Sequence, residues 1–171
     1  NMFTHINTIN GNTFTTGETI TGSTSGATAT LESESQTTSV ATNGLSTASP
    51  GVVAFASDPH LKEGQQIKFS AINAQNNSTA MTTSDIFTVR NPSGSNTFEL
   101  FEADGITPTN ITSFTSAGNV VHGLVICSNV NGSFVAGETI TGGTSGVTDV
   151  IQSDAVGMKG VRSFDFTAVK Q

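Results

Sequence analysis

Residues 17–26 read GETITGSTSG, and residues 137–146 read GETITGGTSG. The likeness spreads outward: from Phe14 to Thr28 against Phe134 to Thr148, 11 of 15 residues are identical. A Thr- and Gly-rich composition alone does not produce that agreement, so the chain carries an internal repeat. Two copies are too few for a solenoid, and they read as duplicated small β-units. In each copy a glycine turn leads into a short strand. A loop bounded by two glycines then reverses the chain into a second strand. In the first copy Ala27, Ala29 and Leu31 alternate with Thr28 and Thr30, the pattern of a strand with one covered face.

The flanks of both copies are also strand-like. Phe3 to Ile9 predicts a strand, followed by a turn at Asn10 to Asn12 and a short strand around Phe14. Gly123 to Cys127 predicts a strand, followed by a turn near Asn129 to Gly132. The middle of the chain differs. Leu61 to Ile72 contains a glycine turn and then places Ile67 and Phe69 on one face. Asp85 to Gly105 reads as a hairpin: Phe87 and Val89 alternate with polar residues, Pro92 and Gly94 supply the reversal, and Phe98 and Leu100 alternate on the return. Ala41 to Gly51 and Asn73 to Ser84 read as loops or linkers. Helical periodicity is almost absent. The expected architecture is all-β, built from small β-sandwich or barrel-like units. Two related repeat units, residues 1–49 and 121–171, flank a central β-domain, residues 50–120.

Composition narrows the function. Charged residues make up 11% of the 171 residues, less than half the usual share of about 25%. Thr, Ser, Asn and Gly fill the difference, so the surface is solvated by hydroxyls and amides. The net charge is −7, and the six basic residues, Lys62, Lys68, Arg90, Lys159, Arg162 and Lys170, are scattered. No basic stripe exists to neutralise phosphates, which argues against a nucleic-acid partner and against an anionic membrane surface. No apolar run has the length of a transmembrane helix. The single cysteine, Cys127, lies in an apolar run and reads as a buried, inert thiol. With no Trp or Tyr and 11 Phe, each unit has a small core. Partners are therefore expected to contribute stability, in a homo-oligomer or a larger assembly.

Known catalytic and binding loops do not fit the repeat. GSTSG and GGTSG resemble the esterase elbow, but Thr24 and Thr144 stand at the nucleophile position, and strand rather than helix follows. None of His5, His60 and His122 is tied to either loop as a base. A phosphate-binding loop needs a lysine after its last glycine; Ala27 and Val147 stand there. Glu18 and Glu138 would make a glycosidase pair only if the two copies faced each other. The preferred reading is that each accepts hydrogen bonds from amides of the neighbouring loop. No metal-ligand spacing is present. Glu32 to Ser35 and Glu102 to Gly105 lack the alternating ligands of a calcium loop. The chain is expected to have no catalytic residue, cofactor or metal. Gly17, Glu18, Gly22 and Gly26, with Gly137, Glu138, Gly142 and Gly146, are read as structural loop residues.

The motif F-x-x-G-E-T-I-T-G-x-T-S-G-x-T in both copies resembles one recurrent in virion structural proteins of tailed bacteriophages, notably marine and cyanobacterial ones. His60 to Gly105, with HLKEGQQIKF, FTVR and NTFELFEADG, is similar to another phage-associated module. It departs by lacking a glycine after His60 and by carrying Gln66 and Ile67 where Asp and Val are usual. The two resemblances span somewhat over half the chain and bring no catalytic residues. They imply a non-enzymatic virion component in a tail, baseplate or fibre, localised to the particle and assembled with copies of itself and other virion proteins. The alternatives are a capsid decoration or head-fibre protein and, from another class, a host-surface or carbohydrate-binding adhesion module. Glycan binding normally uses exposed Trp and Tyr, which the chain lacks.

Overall fold

A computed structural model describes residues 2–33, 36–153 and 161–165. The protein is all-β, with antiparallel pairing throughout and no helix among the described residues. In chain order the strands are β1 (Met2–Thr8), β2 (Thr19–Gly22), β3 (Thr28–Leu31), β4 (Gln36–Leu45), β5 (Gly51–Phe55), β6 (Gln66–Phe69), β7 (Ile72–Asn76) and β8 (Thr79–Ala80). They continue with β9 (Phe87–Arg90), β10 (Thr97–Glu102), β11 (Ile111–Ala117), β12 (Asn119–Asn131), β13 (Thr139–Gly142), β14 (Thr148–Val150) and β15 (Val161–Asp165). Thr, Val, Ile and Phe dominate them, residues whose branched or flat side chains suit a pleated surface.

The chain divides into two compact units. The first takes the described parts of Asn1–Thr37 and Gly123–Asp154, with β15. The second is Thr38–His122. Strand β12 belongs to both, its first four residues to the second unit and the rest to the first.

In the first unit the pairings form a circuit. Strand β1 pairs β12, β12 pairs β3, β3 pairs β2, β2 pairs β13, and β13 pairs β14. The end of β14 returns to β1: Thr8 bridges Ile151, and the Ile9 and Gln152 amides donate to Val150 O and Asn7 O. Strand β15 continues along the same side of β1. The alternation expected in the repeat is present, with Ile20, Ala29 and Leu31 turned inward and the intervening Thr19, Thr21, Thr28 and Thr30 outward. Phe14 and Phe134 are not in strands. Each is an irregular-backbone plug in a core with Ile6, Ile20, Leu31, Val125, Ile140 and Ile151. Cys127 is buried in the same core, where burial first and then the nearby Glu32 carboxylate push its thiol up to about 12.

In the second unit β4, β5, β10, β9 and β6 lie side by side, and β6 meets Val120 and Val121 of β12. The Thr42 amide and Oγ1 both donate to Gly118 O, which brings the segment before β12 back to β4. A smaller sheet, β11-β7-β8, completes the unit. Phe69, Phe87, Val89, Phe98 and Leu100 all lie in the core, as the alternation predicts. The Asp85 to Gly105 segment forms the expected hairpin, with Leu100 opposite Val89.

Two segments read as loops are more ordered than that. Ala41 to Leu45 completes β4. Within Asn73 to Ser84, β7 and β8 form a hairpin whose turn residues Asn77 and Ser78 have φ of 48° and 62°. Such left-handed pairs suit tight two-residue hairpins, and Asn tolerates them well. The β12 strand also runs beyond the predicted Gly123 to Cys127 at both ends. Of the stretches named above, Glu34, Ser35, Lys159 and Lys170 lie outside the described residues.

Candidate functional site

The two repeated loops meet because their strands do. Strands β2 and β13 pair antiparallel with Thr21 opposite Thr141, the same position of each copy. That register brings each loop beside the other copy's glutamate.

Glu18 sits at the entrance to β2. Gly17 precedes it with φ of 84°, and its amide donates to Leu31 O, which aims the glutamate inward. The carboxylate accepts the Thr15 amide at 2.6 Å on Oε1. From the other copy it accepts the Thr144 and Ser145 amides at 3.0 and 2.9 Å on Oε2, and Ser145 Oγ at 2.8 Å on Oε1. Glu138 mirrors this. It accepts the Val135 amide at 2.7 Å, the Thr24 and Ser25 amides at 3.0 and 2.9 Å, and Ser25 Oγ at 2.8 Å. The glutamates thus accept one amide hydrogen bond from their own copy and two from the partner copy's loop, which is more than a hundred residues away in the chain.

The loops are shaped to donate. Gly26 N–H donates to Gly22 O, and Gly146 N–H to Gly142 O, closing a turn that points the two central amides at one spot. Such converging amides form an anion-binding concavity. Ser25 Oγ also accepts from Ala27 N, so the hydroxyl is fixed at both ends. Gly22 and Gly142 lie under the incoming carboxylate. A Cβ on Gly22 would sit 2.6 Å from both Glu138 oxygens, and one on Gly142 equally close to those of Glu18.

Both glutamates are 4% exposed. Burial pushes each carboxyl up, but the Ser145, Thr15 and Thr144 donors together outweigh it at Glu18, as those of Ser25, Val135 and Thr24 do at Glu138. Both carboxyls therefore lie below the ordinary glutamate value and are ionised at neutral pH. Their acceptor positions are committed to fixed donors on both oxygens. A general base or nucleophile needs those lone pairs for substrate; here they join two loops.

Of the remaining sequence candidates, Thr24 and Thr144 enter this pair through their backbone amides. Thr24 and Thr144 are followed by β3 and β14. His5 is half-buried on β1, His60 is exposed in the loop between β5 and β6, and buried His122 has Nε2 3.2 Å from Pro59 O. Among the described residues no three His, Cys, Asp or Glu side chains are grouped to hold a metal ion. In the Glu102 to Gly105 turn, Asp104 accepts from Thr107 Oγ1 and from the Ile106 and Thr107 amides, which hold its carboxyl below the usual range. Asn76 Nδ2 donates to Glu102.

One buried charge was missed. Asp149, 1% exposed, accepts the Asn10 amide at 2.9 Å, Asn10 Nδ2 at 3.0 Å and the Asn12 amide at 2.9 Å. It stands at the repeat position held by Ala29 in the first copy. A carboxylate on an inward strand position was the signal that could have found it. No protein-family model, curated protein or solved structure matches the chain.

Proposed function

We propose that the chain is a structural component of a tailed-phage virion, in a tail, baseplate or fibre, and that it works by assembly with copies of itself and with neighbouring virion proteins. The observation that carries this reading is the use made of the repeated motif. Its only charged residue, Glu18 in one copy and Glu138 in the other, is buried and joined to the partner loop by two amides and a hydroxyl. The most distinctive residues of the sequence thus hold a scaffold together. The surface, poor in charge and rich in Thr, Ser and Asn, fits a stiff particle component. In this reading the two repeats are halves of one barrel-like unit, and the central segment, with its phenylalanine core, is a second.

The test is the mass of the purified chain in solution by light scattering, with negative-stain images of the same sample. A discrete oligomer or regular assembly is the expected result. A partnerless monomer at every concentration would sink the reading.

A further inference from the structure

The first unit is built like an isologous dimer within one chain. Strands β1, β2 and β3 of the first copy correspond to β12, β13 and β14 of the second. Aligned on their Asn-Gly pairs, Thr4 and Ile6 of β1 match Val125 and Cys127 of β12; after a one-residue gap beyond that pair, Phe14 matches Phe134, and all six are buried. Equivalent strands pair with each other. In β1–β12, Thr4 faces Cys127 and Ile6 faces Val125, and in β2–β13, Thr21 faces Thr141. In a two-fold interface residue i meets j and j meets i. The β1–β12 register obeys that rule, and so do the contacts Glu18–Ser145 and Glu138–Ser25.

Asp149 is a buried position that breaks the symmetry. Asp149 receives three donors from the Asn10–Asn12 turn of the first copy, and Asn12 Nδ2 adds a bond to Thr148 O. Its counterpart Ala29 is a core residue. The corresponding turn of the second copy comes up to the first by close packing instead: a Cβ on Gly132 would lie 3.2 Å from Ala27 Cα. A first copy paired with another first copy would set Ala29 against a turn that a carboxylate now satisfies. A second copy paired with another second copy would bury Asp149 without the donors of Asn10 and Asn12. The second mismatch is the costlier one, because a buried carboxylate that loses its donors is left poorly compensated.

We propose that this interface is directional, first copy to second, with Asp149 setting the direction, and that it also forms between two copies of the chain. The first repeat of one molecule then pairs with the second repeat of another in a strand-exchanged homo-oligomer. This rests on the assembly reading above. Every contact made within the chain is available between chains, which is why exchange of identical elements is a low-cost route to oligomers. The competitor is the chain's own second half, held nearby at high effective concentration. Exchange therefore wins where copies fold in a crowd, as at a growing particle.

The experiment uses the full chain. Thr21→Cys and Thr141→Cys variants are mixed, unfolded together, refolded over a range of protein concentrations and bridged with a short bis-maleimide. Cys127 is buried with its thiol pushed up to about 12 and stays unlabelled. The expected product is an interchain 21–141 link whose yield rises with concentration. Either variant refolded alone should give roughly tenfold less link, a factor that corresponds to about 1.4 kcal/mol of preference. Placing Asp149→Ala in both variants should bring that ratio toward one, with Asp149→Asn, which keeps one acceptor oxygen, in between. A general loss of stability would not move this ratio. An oligomer by light scattering with no 21–141 link at any concentration overturns exchange and leaves the assembly reading standing. A monomer throughout overturns both. Equal yields from the single variants, or a ratio that Asp149→Ala does not change, overturn the direction and the role of Asp149.

Discussion

The two units fill their interiors by different means. In the second, four phenylalanines do most of the work: Phe55 meets Phe98 edge-on at 6.1 Å between ring centroids, and Phe69 meets Phe87 at 5.9 Å. Such contacts are worth area and dispersion but tolerate small shifts. The first unit has two plugs, Phe14 and Phe134, and otherwise small aliphatics. Its halves are joined by three buried carboxylates, Glu18, Glu138 and Asp149, each read by named amides. Apolar mass supplies stability without dictating register; a charge-assisted hydrogen bond tolerates little displacement and therefore does. The unit assembled from distant segments joins its halves with buried carboxylates, and the unit whose described residues are one continuous segment relies on aromatic packing in its core.

The largest effect that would break this comparison is expected in the second unit. Phe87→Ala should cost about 3–5 kcal/mol through lost burial and the cavity left behind. Hydrogen exchange should show protection lost across residues 38–122 first. Equal loss in the first unit would mean that the two cores are one.

Next come the glutamates. Glu18→Ala and Glu138→Ala should each cost about 2–4 kcal/mol, because each removes the charged acceptor shared by three amides and a hydroxyl. The two losses should match, since the two sites have equivalent donors at nearly equal distances. A large effect from one and none from the other would end the symmetric picture. Both carboxyls titrate below the ordinary glutamate value when folded. Their stabilisation is therefore complete above that value and is lost as pH falls through the lowered folded one. Thermal melts from pH 7 to pH 3 should show the first unit weakening over that acid range, and Glu18→Gln with Glu138→Gln should flatten the slope.

Much of this was legible in the residues. Alternation at Phe87, Val89, Phe98 and Leu100 placed the second core, because a two-residue period leaves few choices of face. The duplicated glycines placed both turns. The β7–β8 hairpin was not legible: Asn73 to Ser84 has almost no apolar alternation, and its order comes from the left-handed Asn77 and Ser78 and from Asn76 bonded to Glu102 and Asn110. Nor did the sequence say which loop each glutamate reads. Hydrogen-bond capacity is local, but its partner here is more than a hundred residues away, and only strand pairing decides it.

The smallest expected effects separate two kinds of glycine in the motif. Gly17 has φ of 84° and open space around a built Cβ, so Gly17→Ala adds backbone strain alone, about 1 kcal/mol. Gly22 needs no unusual backbone conformation, yet its Cβ would lie 2.5 Å from Ser25 Oγ and 2.6 Å from both Glu138 oxygens. Gly22→Ala must push the carboxylate out of the loop and should cost more, about 2 kcal/mol. The decisive measurement is a double-mutant cycle with Glu138→Ala. Once the carboxylate is gone, the part of the Gly22→Ala penalty that comes from Glu138 should vanish, while the contact with Ser25 Oγ and the Gly17→Ala penalty should remain. If both persist unchanged, Gly22 serves its own hairpin and not the partner's glutamate. The likeness between the copies would then reflect turn chemistry alone.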